Sequence, residues 1–96
     1  MYADLGLPNA DETLVKARLA ARIGEIIKRR GLTQVQAAGI LGMPQPKLSN
    51  MLRGRFRAIS EAKMLELLTK LGQDVKIVIK SAPRSRETGH LSVVFT

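Results

Sequence analysis

Cysteine and tryptophan are absent from these 96 residues, and there are only one tyrosine, two phenylalanines and one histidine. Without cysteine there is no disulfide framework, no thiolate nucleophile and no zinc site of the usual Cys-containing kind. The single histidine, His90, removes most metal and acid–base constellations. No catalytic group, metal site or cofactor is therefore expected. The scarcity of aromatics leaves Phe56 as a poor platform for stacking single-stranded bases. Apolar runs reach only a few residues, far short of the roughly 20 that span a bilayer, so no membrane partner is expected. The opening Met1-Tyr2-Ala3-Asp4-Leu5-Gly6 lacks the basic-then-apolar order of a signal peptide, which points to a cytoplasmic protein.

One further absence is local. No acidic residue occurs from Ile26 to Ser60, where Lys28, Arg29, Arg30, Lys47, Arg53, Arg55 and Arg57 contribute seven positive charges. The whole chain carries +8, so nearly all the excess lies in this block. Such a concentration is the electrostatic footprint of a polyanion-binding face. A merely solvated surface is the plain alternative. Regularly interleaved apolar residues argue against a disordered basic tail.

The organisation predicted along the chain has three parts. Residues 1–10 read as an irregular arm, with Gly6 and Pro8 as breakers. Residues 11–72 read as four helices. Asn9 or Asp11 caps the first, whose stripe is Val15, Leu19, Ile23, Ile26 and Ile27, and Gly31 stops it. Thr33 and Gln36 form a capping box for the second, with Val35, Ala38 and Leu41 as its apolar face. The third runs from about Gln45 to Leu52, with Pro46 tolerated in its first turn. Leu48, Met51 and Leu52 point inward; Gln45, Pro46, Lys47, Ser49, Asn50 and Arg53 face out. Ser60 caps the fourth, and Gly72 ends it. Residues 73–96 read as a β extension suited to dimerisation, because Val75, Ile77 and Ile79 alternate with polar positions, as do Leu91, Val93 and Phe95. Whether residues 75–80 and 91–95 pair within one chain or across a dimer is left open.

Thr33 to Gly54, TQVQAAGILGMPQPKLSNMLRG, is the most informative stretch. Two short helices packed at a sharp angle need a small residue midway, here Ala38. Gly42 permits the turn, Met43 plugs the angle, and Leu48 and Met51 anchor the second helix. That spacing is the one used by DNA-binding helix–turn–helix motifs. It resembles the lambda-repressor/Cro-like (XRE) regulators. DLGLPNADETLVKARLAARI, GLTQVQAAGILG, QPKLSNMLRGRF and LGQDVKIVIK are similar, in that order, to a subgroup that looks like antitoxins of RelE/HigB-type ribonuclease toxins.

The resemblance implies a mainly α fold, a four- to five-helix lambda-repressor-like domain with a short C-terminal β-strand or hairpin. It implies double-stranded DNA and a toxin protein as partners; the unpaired strand edge with Val75, Ile77 and Ile79 points to a homodimer, which would sit on a palindromic operator. Gln34 would touch a phosphate and brace Gln45. Gln45, Lys47 and Asn50 would reach bases, Gln45 being suited to adenine. Thr33, Ser49, Arg53, Arg55 and Arg57 would join Gln34 on the DNA backbone. Pro44 departs from the Ser or Thr that many relatives place there, so the recognition helix loses a side-chain cap. A stand-alone phage-repressor-like regulator is one alternative. A small basic ribonuclease is another, but it would need a general base and acid that His90 alone does not supply.

Overall fold

The computed structural model describes residues 8–85 and 87–96, with side chains described from residue 13. Four helices account for the regular structure: α1 (Pro8–Arg29), α2 (Gln34–Leu41), α3 (Gln45–Leu52) and α4 (Glu61–Lys70). The first helix begins at Pro8, three residues before the expected start, so the irregular arm does not extend to residue 10. Proline supplies a helical φ and lacks only a proton that the first turn would leave unbonded. Residues 1–7 lie outside the described residues, and with them most of the arm.

One apolar core joins all four helices. Val15, Leu19, Ala20, Ile23, Ile26 and Ile27 of α1 face Leu48 and Met51 of α3 and Met64, Leu67 and Leu68 of α4. Ile59 closes the loop after α3 onto the same core, and Leu32, Met43, Leu52 and Phe56 pack at its edges. At Gly24, a Cβ would sit 3.3 Å from Leu52 Cδ2, so the missing side chain lets α3 approach α1 closely. Gly39, by contrast, meets nothing within 4 Å. It is an exposed glycine in a helix interior, where its backbone entropy costs about 0.5–1 kcal/mol relative to alanine. Gly39→Ala should therefore raise stability by about that amount, read as a higher urea midpoint with unchanged slope.

The face of α2 differs from the sequence expectation. Ala37, Ala38 and Leu41 are buried, while Val35 is 71% exposed. Val35, Ala37, Ala38, Ile40 and Leu41 make this helix apolar nearly all round, so periodicity alone does not distinguish its faces. Close packing does: the small Ala37 and Ala38 allow neighbouring elements to approach.

The helix ends follow local chemistry. Thr33 Oγ1 accepts from the Gln36 amide at 3.1 Å, and Gln36 Oε1 accepts from the Thr33 amide at 2.9 Å. That is the complete capping box. At the other end Gly42 takes φ 69°, its N–H bonding to the Ala38 carbonyl. A residue with a Cβ would be strained in this conformation. Lys70 Nζ reaches across from α4 to donate to the Leu41 carbonyl at 3.3 Å, satisfying the end of α2. Ser60 Oγ accepts from the Lys63 amide at 3.0 Å and caps α4.

Exposed ion pairs lace the outer surfaces. Glu25 lies between Arg22 (2.8 Å) and Arg29 (2.9 Å), and Glu66 between Lys63 and Lys70 (both 3.4 Å). Bonding to Arg22 first, with added attraction from Arg29, holds the Glu25 carboxyl below its ordinary pKa. The Lys70 hydrogen bond is the largest influence lowering Glu66. Their small contribution is present at neutral pH and disappears as acid protonates them through those lowered values.

The expected β extension is corrected. Among the described residues no strand forms: 73–83 and 89–96 run without regular secondary structure. Alternation specifies a chain with two unlike faces but not a partner ladder. Val93 and Phe95 do pack against the core, and Phe95 lies under Arg18 and Arg22, whose guanidinium carbons are 5.4 and 4.6 Å from the ring centre. Ile77 and Ile79 face outward, Ile79 at 92% exposure. No described helix is long and apolar enough to cross a membrane.

Candidate nucleic-acid interface

The outward surface of α2 and α3 is built from the N-terminal residues of both helices. α3 begins after Pro44, which sits in an extended conformation (φ −62°, ψ 141°) and offers no side-chain cap. Its carbonyl instead accepts from the Lys47 and Leu48 amides, each at 3.1 Å. Pro46 occupies the first turn, so one fewer amide proton needs a partner. The opposite face of α3 is fastened by Leu48 and Met51, both 0% exposed. This anchoring fixes which side chains look out.

Gln45 is positioned by Gln34: its Nε2 donates to Gln34 Oε1 at 2.9 Å, joining the first residues of α2 and α3. The bond uses one Gln45 proton and leaves its Oε1 and second N–H available. Those two groups form an acceptor–donor pair of the kind that fits adenine N6 and N7. Lys47 and Asn50 are both exposed on α3. Thr33 is exposed too, although its hydroxyl is engaged in the capping box.

Ser49 is a correction to the outward-facing set. It is 7% exposed, and its hydroxyl accepts a 2.9 Å hydrogen bond from Arg53 Nη2. Helical spacing of four residues brings the two side chains onto one face. Arg53 therefore lies over Ser49 and is oriented by it. Leu52, expected inward, is only half-buried at the edge of the core.

The basic block divides into two groups. At the end of α1, Arg29 is paired with Glu25, and Arg30 Nη1 donates to the Leu71 carbonyl at 3.5 Å. On and after α3, Lys47, Arg53, Arg55 and Arg57 are exposed, and among the described residues none makes an ion pair. The loop carrying Arg55 and Arg57 is held by the Arg55 amide on the Asn50 carbonyl (2.8 Å) and by Lys16 Nζ on the Arg57 carbonyl (3.3 Å). Buried Ile59 anchors its end. The surface thus presents a braced glutamine beside cations that no carboxylate among the described residues pairs with.

The sequence profile of a family described as a helix–turn–helix domain matches residues 1–80. The chain belongs to this helix–turn–helix family. A solved structure described as an XRE-family transcriptional regulator is 40% identical to it, with a TM-score of 0.85. The match covers 93% of this helix–turn–helix protein and all of that chain. No match was found among curated proteins. The helix–turn–helix of this family member is of the XRE type, with Gly42 and Met43 at the bend and Ala38, Leu48 and Met51 fastening the two helices.

What sequence reasoning missed at this surface was the Ser49–Arg53 bond. The signal lay in the four-residue spacing of a hydroxyl and a guanidinium on one helix. Reading Ser49 as simply outward overlooked that a long side chain one turn on can reach back to bond a short one.

Proposed function

We propose that this protein is a DNA-binding transcriptional regulator that occupies a palindromic operator as a homodimer and represses by occupancy. The observation that carries the reading is the bond from half-buried Gln45 to Gln34 at the start of α3, with Lys47, Arg53, Arg55 and Arg57 exposed on and after the same helix. In this reading α3 enters the major groove, with Gln45, Lys47 and Asn50 directed to bases. Arg53, Arg55, Arg57, Gln34, Thr33 and Ser49 serve the phosphate backbone, Ser49 chiefly by orienting Arg53. The activity is recognition in the cytoplasm, with no catalytic role or cofactor.

Selection of binding sites from random duplexes at stated salt tests this reading. A single enriched, two-fold symmetric sequence is expected; equal binding to all sequences would refute it. Arg53→Ala should weaken binding to all sequences similarly and lower the dependence of log K on log salt by about one unit. If base preference changed instead, the assignment of Arg53 to the backbone would be wrong.

The dimer is supported by the C-terminal segments, whose backbone forms no ladder and whose Ile77, Ile79 and Val94 are exposed. Pairing across a two-fold axis would cover them and set two recognition helices about 34 Å apart. Light scattering at micromolar concentration should give twice the chain mass; a monomer would refute the dimer. The narrower role, an antitoxin opposing a RelE/HigB-type toxin, is supported by the sequence resemblance that spans most of the chain. Co-expression with the adjacent reading frame should yield a stable complex. A frame whose product neither binds nor is toxic would leave the stand-alone regulator.

A further inference from the structure

On α3 the residues farthest from buried Leu48 and Met51 are Pro46, Asn50 and Arg53, aligned at i, i+4 and i+7. All three are exposed, so Pro46 lies at the N-terminal end of the outer ridge rather than at its edge. Its ring has neither donor nor acceptor and is rigid, whereas its neighbours Gln45, Lys47 and Asn50 are polar. Pro44 also precedes the helix, so no side-chain cap needs Pro46 to be anything other than a first-turn residue.

An apolar ring at the crest of a groove-reading helix has one apolar target on the base edges. The major groove presents donors and acceptors from every base pair, and only thymine adds a methyl group. We propose that Pro46 is a specificity residue that packs against a thymine C5-methyl within one base pair of the adenine read by Gln45. The inference rests on the DNA-binding reading above and assigns a second letter of the site. Gln45 supplies a polar choice through hydrogen bonds; Pro46 supplies an apolar choice through shape. Neither needs the other's chemistry. Adjacent Cα atoms lie about 3.8 Å apart, close to the roughly 3.4 Å spacing of base pairs, so the two bases are expected to be neighbours.

The test removes the methyl and nothing else. In the selected duplex, each thymine is replaced singly by deoxyuridine, which keeps every hydrogen-bonding group. One replacement adjacent to the Gln45-dependent position should weaken the wild-type protein about four-fold, the effect of losing one buried methyl. With Pro46→Ser the same replacement should have no effect. Circular dichroism and thermal unfolding of Pro46→Ser establish that α3 is retained, and serine is readily accommodated in a first helical turn.

Indifference of the wild-type protein to every thymine-to-deoxyuridine change would overturn the proposal. So would an undiminished penalty in Pro46→Ser, which would assign the methyl contact to another residue. A selected site with no thymine beside the Gln45 position overturns it while DNA binding stands. Failure to select any sequence would refute the functional reading itself, and the Pro46 assignment with it.

Discussion

Leu48→Ala is expected to lower unfolding stability by about 2–5 kcal/mol, a large share of the roughly 5–15 kcal/mol typical of small domains. Leu48 is fully buried, on the side of α3 that meets the core, and its loss leaves a cavity in the core that α3 shares with α1 and α2. The surroundings are other aliphatic side chains already packed together, which close such a cavity only in part. A loss of this size should lower Tm by roughly 8–40 °C for a chain of this length. The loss of DNA binding should follow the unfolding curve. At a temperature where the variant remains folded, its preferred sequence should match the wild type, because Leu48 faces away from the reading surface. A changed base preference in the folded variant would mean that packing beneath α3 alters its outer face.

Gln45→Ala is expected to cost about 1–3 kcal/mol of affinity for the selected site, or roughly 5- to 150-fold, and to relax preference at one base pair. The effect should be concentrated on that position because Gln45 is held in one orientation by Gln34. Gln34→Ala should reduce selectivity at the same base pair, since the freed Gln45 must be ordered on binding. The two changes should be non-additive: once Gln45 is gone, Gln34 has nothing to brace. Competition binding with single-base variants of the site, at fixed salt, measures the wild type, both single variants and the double variant. If Gln45→Ala left the preference at every position intact, another side chain would be the reader.

Local chemistry made much of this architecture legible in advance. Thr33 and Gln36 announce a capping box, and Gly42 with Met43 announces the bend, because each rests on interactions within a few residues. The stripe on α1 was equally plain, with Val15, Leu19, Ile23, Ile26 and Ile27 separated by charged positions. The hidden features required knowledge of neighbours. On α2 an almost continuous apolar surface concealed that Ala37 is buried and Val35 exposed. Around Ser49, burial is accompanied by a bond from Arg53, which helix spacing permits but does not compel. In the C-terminal segments, alternation resembles that of a strand, yet a strand exists only when another backbone accepts its hydrogen bonds. The pairing of Gln45 with Gln34 lies between these cases. Its two partners stand 11 residues apart and meet only once the angle at Gly42 is set.

The Lys70 bond to the Leu41 carbonyl has a practical consequence for engineering. It makes the geometry of the reading unit a property of α4 as well as of the 22 residues that spell the motif. The motif is consequently not a portable cassette. Retargeting by exchanging outer residues of α3 retains this support, whereas transplanting residues 33–54 into a foreign scaffold removes it. A graft should carry the fourth helix, or a replacement cation at the same height, if the two helices are to keep their angle.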